Sequence, residues 1–94
     1  MRTNGTSMEP AEVRQRTLAI LQQVTGDGEV LADPDLPLYT SGLLDSLATV
    51  SLIVAFEDAF GVTISPAEFD REAWSTPRAL VADIERRMAQ GHPG

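Results

Sequence analysis

The chain of 94 residues has no cysteine and no lysine, a single histidine and few aromatic residues. The absence of cysteine excludes a disulfide framework, a thiolate metal site and a cysteine nucleophile, and it fits a reducing compartment. The one histidine, His92, lies in a Gly/Pro-rich tail, where it is not placed to activate a serine. Gly-x-Ser-x-Gly is missing, and Asp33-Pro34-Asp35 lacks the other ligands of a calcium loop. We therefore expect a protein that is not an enzyme and holds no metal.

Long hydrophobic runs are also lacking. No window approaches the roughly 18 apolar residues of a membrane span, and residues 1–7 contain no apolar segment of the kind found in signal peptides. The sequence favours a soluble, cytoplasmic protein. A hydrophobic content of 43% in 94 residues suits one small folded domain and leaves no room for a second. We predict a flexible tail over 1–8, the domain over 9–90 and a second flexible tail over 91–94.

The charge is strongly one-sided, because fourteen acidic residues face seven basic ones, which gives a formal net charge of -7. An acidic protein repels nucleic acid and anionic lipid, so neither a nucleic-acid partner nor membrane insertion is expected. The same charge favours basic surfaces of other proteins. The alternative is that the acidity only keeps a small domain in solution. The positions of the acidic residues must decide between these two interpretations.

Hydrophobic periodicity predicts four helices and no strand. The first helix covers Pro10 to Thr25, and Gly26-Asp27-Gly28 ends it. Its core face comprises Val13, Thr17, Ile20, Leu21 and Val24. Residues 26–44 are predicted to be a loop, because prolines within it break helices. The apolar residues of this loop are expected to pack on the bundle, and they are Leu31, Leu36, Leu38, Tyr39, Leu43 and Leu44.

The last two helices are predicted from starts that contain proline. Residues 65–68 form a capping-box pattern, which indicates a short third helix that ends near residue 70. Thr76-Pro77 starts the fourth helix, and Gly91 ends it. Its core face comprises Leu80, Val81, Ile84 and Met88. Trp74, just before the fourth helix, is predicted to be a core residue rather than a ligand-binding one.

The second helix, predicted over Asp45 to Phe60, has more apolar residues than one buried face requires. At about 100° per residue, one arc should face the core, and it comprises Thr49, Leu52, Ile53, Phe56, Ala59 and Phe60. Leu47, Val50 and Val54, here called the apolar stripe, fall on another arc. Polar residues flank that arc, namely Ser51, Glu57 and Asp58. The stripe is predicted to be a docking surface, and the alternative is that a small bundle buries both arcs.

A serine stands at the start of this helix, within Gly42-Leu43-Leu44-Asp45-Ser46-Leu47, and Phe60-Gly61-Val62 closes it. With these motifs the chain resembles the acyl carrier proteins over roughly residues 9–89. Within that superfamily it most resembles the D-alanyl carrier proteins, through Gly42-Leu43-Leu44-Asp45-Ser46, Glu68-Phe69-Asp70-Arg71-Glu72, Trp74 and Thr76-Pro77. The resemblance implies an all-α, four-helix bundle of acyl-carrier type, with a long loop between helices 1 and 2 and a short third helix.

The resemblance also implies a cofactor and a site. Ser46 matches the serine that receives 4'-phosphopantetheine from coenzyme A, and Asp45 matches the acid beside it. The terminal thiol of that arm holds an acyl or aminoacyl group as a thioester, which suits a chain without cysteine. The implied partner-binding residues are Leu47, Val50, Val54, Glu57 and Asp58. The implied partners are a phosphopantetheinyl transferase, an adenylating ligase and a downstream acyltransferase, and the carrier itself is expected to be a monomer.

Two positions depart from the general acyl carrier pattern. Ala48 and Ser51 stand where acidic residues are common in acyl carrier proteins. The matching helix of the D-alanyl carriers is also sparsely charged, so the resemblance implies an aminoacyl cargo rather than a fatty one. The cargo would serve either D-alanine delivery to cell-envelope polymers or an aminoacyl starter in antibiotic assembly. The alternative is a protein-interaction module without phosphopantetheine, in which the apolar stripe binds a partner and Ser46 only caps the helix.

Overall fold

The computed structural model describes residues 9–66 and 69–90. Its elements are α1 (Pro10–Thr25), α2 (Glu29–Ala32), α3 (Ser46–Phe60), one 3₁₀ turn (Arg71–Trp74) and α4 (Pro77–Gln90). Helix α1 packs against both α3 and α4, and the 3₁₀ turn packs against α4. Within the described residues every regular element is helical, so the predicted all-α helical bundle is confirmed. None of the described helices is long and apolar enough to cross a membrane.

The core forms where the apolar faces of the three long helices meet. Predicted core residues of α3 and α4 are buried, among them Leu52, Ile53, Phe56, Leu80 and Ile84. Trp74 is fully buried, and its ring meets those of Phe56 and Phe69 edge-on, with centroid separations of 5.5 and 4.5 Å. Such edge-to-face contacts are favoured by the aromatic quadrupole. The prediction that Trp74 is a core residue is confirmed.

The long connection between α1 and α3 contains a helix that the sequence did not predict. Helix α2 begins where the Glu29 backbone N–H donates to Asp27 Oδ1 (2.9 Å), an arrangement that starts a turn without a hydrophobic signal. The prediction that Leu31 packs on the bundle is wrong, since its side chain is 49% exposed and Val30 is buried instead. A single helical turn can direct only one side inward. The other predicted packing residues are buried or partly buried, namely Leu36, Leu38, Tyr39, Leu43 and Leu44.

The segment before α4 differs from the prediction as well. The capping box of the expected third helix includes residues 67 and 68, which lie outside the described residues. Phe69 and Asp70 are not helical, and the described turn begins after Asp70, because the Asp70 carboxylate accepts the Glu72 backbone N–H (3.0 Å). Thr76 accepts the backbone N–H of Ala79 (3.1 Å), so the predicted start of α4 is confirmed. The predicted stop at Gly91 lies outside the described residues.

Backbone hydrogen bonds tie the long connection to the start of α4. Leu38 N–H donates to the Ser75 carbonyl, and Arg78 N–H donates to the Pro34 carbonyl, each at 2.9 Å. The Arg78 guanidinium also binds Asp35 and lowers the pKa of that carboxyl, chiefly by hydrogen bonding. The pair is exposed, so its small contribution to stability is lost as the pH falls through the lowered pKa of Asp35. These hydrogen bonds fix the long connection and therefore the position at which α3 starts.

Replacing Thr17 by valine is expected to stabilise the fold by about 1 kcal/mol. Thr17 is fully buried in α1, and among the described residues its Oγ1 has no hydrogen-bond partner. Valine has the same shape without the buried hydroxyl, so the cost of desolvating that hydroxyl disappears. Urea unfolding of both proteins measures the difference.

Thr49 to valine is the matched control for Thr17 to valine. The buried Thr49 hydroxyl donates to the Asp45 carbonyl (2.7 Å) and accepts from the Tyr39 hydroxyl (2.6 Å). Its loss is expected to destabilise the fold, because a satisfied pair of hydrogen bonds is removed. Equal effects of the two substitutions would contradict the view that hydrogen bonding distinguishes the two threonines.

Candidate functional site

Ser46 is the first residue of α3, and its side chain is exposed. Asp45 is the N-cap residue, and its carboxylate Oδ1 accepts the backbone N–H of Ala48 (2.8 Å). An aspartate at this position satisfies an N–H that the helix leaves unpaired and complements the positive end of the helix dipole. Gly42, three residues before the cap, has φ of +86°, which a side chain would disfavour. The chain thus turns sharply and presents the Ser46 hydroxyl at the surface.

A cationic side chain lies directly beside this hydroxyl. Arg71, at the start of the 3₁₀ turn, donates from Nη2 to Ser46 Oγ (3.1 Å), and its guanidinium carbon lies 4.9 Å from the centroid of the Tyr39 ring. Next to these residues is an open cavity of about 250 Å³. It is lined by Ser46, Thr49, Val50, Ile53, Pro66, Phe69 and Arg71. Sequence reasoning did not assign Arg71 to the site, because it is 25 residues from Ser46 and carries no spacing signal.

Among the described residues, none is placed to activate the Ser46 hydroxyl as a base. Ser46 Oγ receives a hydrogen bond from Arg71, which is a donor and not a base. The neighbouring Asp45 carboxylate is directed to the backbone of α3. The single histidine, His92, is outside the described residues, and no group of acidic or histidine side chains within the described ranges could hold a metal ion. Ser46 is therefore an accessible alcohol, and the described side chains around it do not form a catalytic triad.

The apolar stripe lies on the same helix and faces outward. The exposed fractions of its side chains are 77% for Leu47, 48% for Val50 and 60% for Val54. The other arc of α3 is buried, with Thr49, Leu52, Ile53, Phe56 and Phe60 in the core and Ala59 partly buried. The alternative that the bundle buries both arcs is wrong. Large exposed apolar residues that cluster at helical spacing mark an interaction surface more often than isolated ones do.

The two acidic residues at the far end of α3 differ in their surroundings. Glu57 is half-buried, and its Oε2 accepts the backbone N–H of Ile64 (3.0 Å), so it holds the chain that follows the helix. Asp58 is exposed. The periodicity placed both beside the stripe but could not indicate the contact that Glu57 makes with a residue beyond the helix. Of the two, Asp58 has the carboxylate that is freer to meet a partner.

Comparisons with known proteins show which family the chain belongs to. A family model described as a phosphopantetheine attachment site matches residues 15–84. The chain is 41% identical over 73 residues to the D-alanyl carrier protein of Enterococcus faecalis, covering 78% of this chain and 94% of that one. It is 43% identical over 70 residues to the D-alanyl carrier protein of Bacillus velezensis, covering 74% and 90%. With the corresponding protein of Listeria monocytogenes it shares 38% identity over 72 residues, covering 77% and 92%.

Proposed function

Since the chain belongs to the phosphopantetheine-attachment family of the acyl carrier superfamily, we propose that Ser46 is the residue that carries its covalent 4'-phosphopantetheine. The observation that carries this proposal is the exposed Ser46 hydroxyl at the start of α3, with the guanidinium of Arg71 beside it. The family match also favours a carrier over the alternative of an interaction module without the arm. Ser46 would then be the residue through which the arm and its cargo are joined to the protein.

The residues around Ser46 fit a phosphate-linked group. The Ser46 side chain is exposed, so a bulky substituent can extend from it into solvent. Arg71 supplies a guanidinium within hydrogen-bond distance of the oxygen that would become the ester oxygen. The start of α3 adds the positive end of a helix dipole. A negative charge on Ser46 is therefore favoured by its surroundings, even though the whole chain is acidic.

Ser46 contributes a single oxygen atom to the attachment. A bond would form from its Oγ to the phosphorus of coenzyme A that carries the pantetheine, the pyrophosphate bond would break with adenosine 3',5'-bisphosphate as the leaving group, and the hydroxyl proton would pass to a base of the transferase. When bound, phosphopantetheine supplies a thiol that holds an acyl or aminoacyl group as a thioester. Asp45 keeps Ser46 at the helix start, and its exposed carboxylate can attract a basic transferase. The bond making and breaking belong to partner active sites, so the carrier itself is not an enzyme.

We propose further that the cargo is an amino acid, attached by an adenylating ligase and surrendered to a downstream acyltransferase. The relatives at 38–43% identity are D-alanyl carrier proteins, which makes D-alanine the first cargo to test. Ala48 and Ser51 leave the exposed side of α3 less acidic than fatty acyl recognition would favour. Two destinations fit this cargo: cell-envelope polymers, or an aminoacyl starter in antibiotic assembly. A cytoplasmic location suits both, and the absence of cysteine is compatible with it.

A charging assay tests the cargo. The phosphopantetheine form is incubated with ATP and an adenylating ligase for D-alanine, for other amino acids or for fatty acids, and the thioester is detected by intact-protein mass. Charging with D-alanine or another amino acid is the expected result. Exclusive charging with a fatty acyl group would contradict the aminoacyl proposal and leave the attachment proposal untouched.

We propose that the apolar stripe docks the carrier onto its partner enzymes, with Asp58 and the outer part of Glu57 meeting basic residues at the rim. A small apolar centre with a charged rim gives a weak, short-lived complex, which suits a carrier that must leave each partner after transfer. Exposed charges mainly raise the encounter rate and select the partner. The carrier then acts as a monomer that visits several enzymes in turn.

Replacing Leu47 by aspartate is expected to lower kcat/KM for loading by the ligase about tenfold, because a charge enters the apolar centre of the interface. Leu47 is 77% exposed, so the free energy of unfolding should change little. Leu31 to aspartate is the matched control, since Leu31 is also an exposed leucine but lies on α2, outside the stripe. Equal loading by all three proteins would contradict the assignment of the stripe.

A further inference from the structure

Arg71 is held beside Ser46 by contacts that originate in α3 itself. Its guanidinium lies over the Tyr39 ring, and the Tyr39 hydroxyl donates to Thr49 Oγ1 (2.6 Å). Thr49 donates in turn to the carbonyl of Asp45 (2.7 Å), one residue before Ser46. The aromatic ring that supports the cation is thus anchored to the first turn of the helix that presents the serine. This chain of contacts holds the Arg71 guanidinium close to Ser46 Oγ, although the arginine itself is exposed.

Arg71 takes part in none of the ion pairs that the structure describes. Within the described ranges four arginines pair with carboxylates, namely Arg16, Arg78, Arg86 and Arg87, and Arg71 is not among them. Among the residues that the structure describes, the guanidinium of Arg71 donates a side-chain hydrogen bond to the neutral hydroxyl of Ser46. Asp45, the acidic residue next to that serine, directs its carboxylate to the Ala48 backbone. A guanidinium binds an anion more strongly than it binds a neutral hydroxyl, and a phosphodiester on Ser46 would supply such an anion.

We propose that Arg71 binds the phosphodiester that joins the prosthetic arm to Ser46, and so fixes the root of the arm while the rest stays free. This inference rests on the proposed attachment to Ser46. Esterification removes the hydroxyl hydrogen and places charged phosphate oxygens two bonds beyond Oγ, within reach of the guanidinium that now contacts Oγ. Arginine suits this role because its fork of N–H donors matches two phosphate oxygens. Arg71 is a binding residue for the arm and takes no part in bond making.

A thermodynamic cycle between residue 71 and the modification tests the proposal. Unfolding by urea is measured for the wild type and for Arg71→Gln, each without and with phosphopantetheine. In the wild type, the modification is expected to lower the unfolding equilibrium constant about threefold more than in Arg71→Gln, the size of an exposed ion pair. Arg71→Lys should retain part of the effect. The extra stabilisation should vanish in about 1 M salt, where the Debye length is about 3 Å.

Arg14→Gln is the matched control, because it removes the same charge from an exposed arginine that lines a different cavity. It should keep the full wild-type response to the modification. If Arg71→Gln destabilises the modified and unmodified forms equally, the arginine only supports the local fold and the proposal is overturned. A wild type that gains no phosphopantetheine overturns the attachment to Ser46 as well, so the two failures are distinguishable by mass.

A second measurement needs no variant that could fail to fold. In ¹⁵N-labelled wild type, the Nε–Hε signal of Arg71 is followed as the protein acquires phosphopantetheine. A shift of this signal, larger than that of the Arg14 signal and reduced in high salt, is the expected result. An Arg71 signal that does not move when the mass shows complete modification would contradict binding of the phosphodiester.

Discussion

Ser46→Ala is expected to abolish phosphopantetheine attachment completely while leaving the fold intact. The variant lacks the hydroxyl oxygen of residue 46, so no bond to phosphorus can form at this position. Its stability should remain within about 0.5 kcal/mol of the wild type, because the lost side chain is exposed and alanine is a good helix former. Intact-protein mass after incubation with coenzyme A, magnesium and a phosphopantetheinyl transferase measures the first effect, and urea unfolding measures the second.

Ser51→Ala is the control for Ser46→Ala. Ser51 is an exposed serine of the same helix, and its loss should leave attachment at the wild-type level. A Ser46→Ala protein that still gained phosphopantetheine would contradict the assignment of the site. Because the Ser46 side chain is exposed, the alanine variant should stay folded, and loss of attachment can then be assigned to the missing hydroxyl.

Asp83→Ala is expected to cost about 3 kcal/mol of unfolding free energy. Asp83 is 2% exposed, and its carboxylate accepts Trp74 Nε1 (2.8 Å) and Arg87 Nε (2.8 Å) as well as a hydrogen bond from Arg86. Alanine would leave the fully buried Trp74 N–H without an acceptor and the half-buried Arg87 without its counter-ion. For a chain of this size the total stability is only about 5–14 kcal/mol, so the change is a large part of it.

Urea unfolding of three variants separates the causes of this loss. Asp83→Asn keeps an oxygen that can accept from Trp74, so it should be intermediate between the wild type and Asp83→Ala. Asp58→Ala removes the same charge from an exposed position of α3 and should change stability little. If Asp83→Ala were as stable as Asp58→Ala, the buried network would contribute nothing and the structural account of α4 would be wrong.

Spacing and capping patterns were sufficient to predict the features that depend on a single helix. The bounds of α1, the Thr76 start of α4 and the separation of the two arcs of α3 were all predicted, because each depends on spacing within one helix or on its own cap. The apolar stripe could therefore be located without knowledge of the fold. Its exposure, which decides that the stripe is a surface, required the packing of α1 and the other elements around α3.

Contacts between distant segments could not be predicted from spacing. Asp83 was not among the predicted core residues of α4, and its burial is explained by its hydrogen bonds to the buried indole of Trp74 and to the arginines on the next turn. Arg71 reaches Ser46 because the 3₁₀ turn packs near the start of α3. Helix α2 is too short to show a period, and its start depends on one hydrogen bond to Asp27. Each of these features arises from polar side chains, whose partners a hydrophobic pattern does not identify.

The measurement that tests the central claim most directly is the localisation of phosphopantetheine in the wild-type protein by fragmentation mass spectrometry after modification. The site described here predicts one group per chain, attached to Ser46 and to no other hydroxyl. Attachment to a different residue, or no attachment to a protein shown to be folded, would contradict the account of this chain as a carrier built around Ser46.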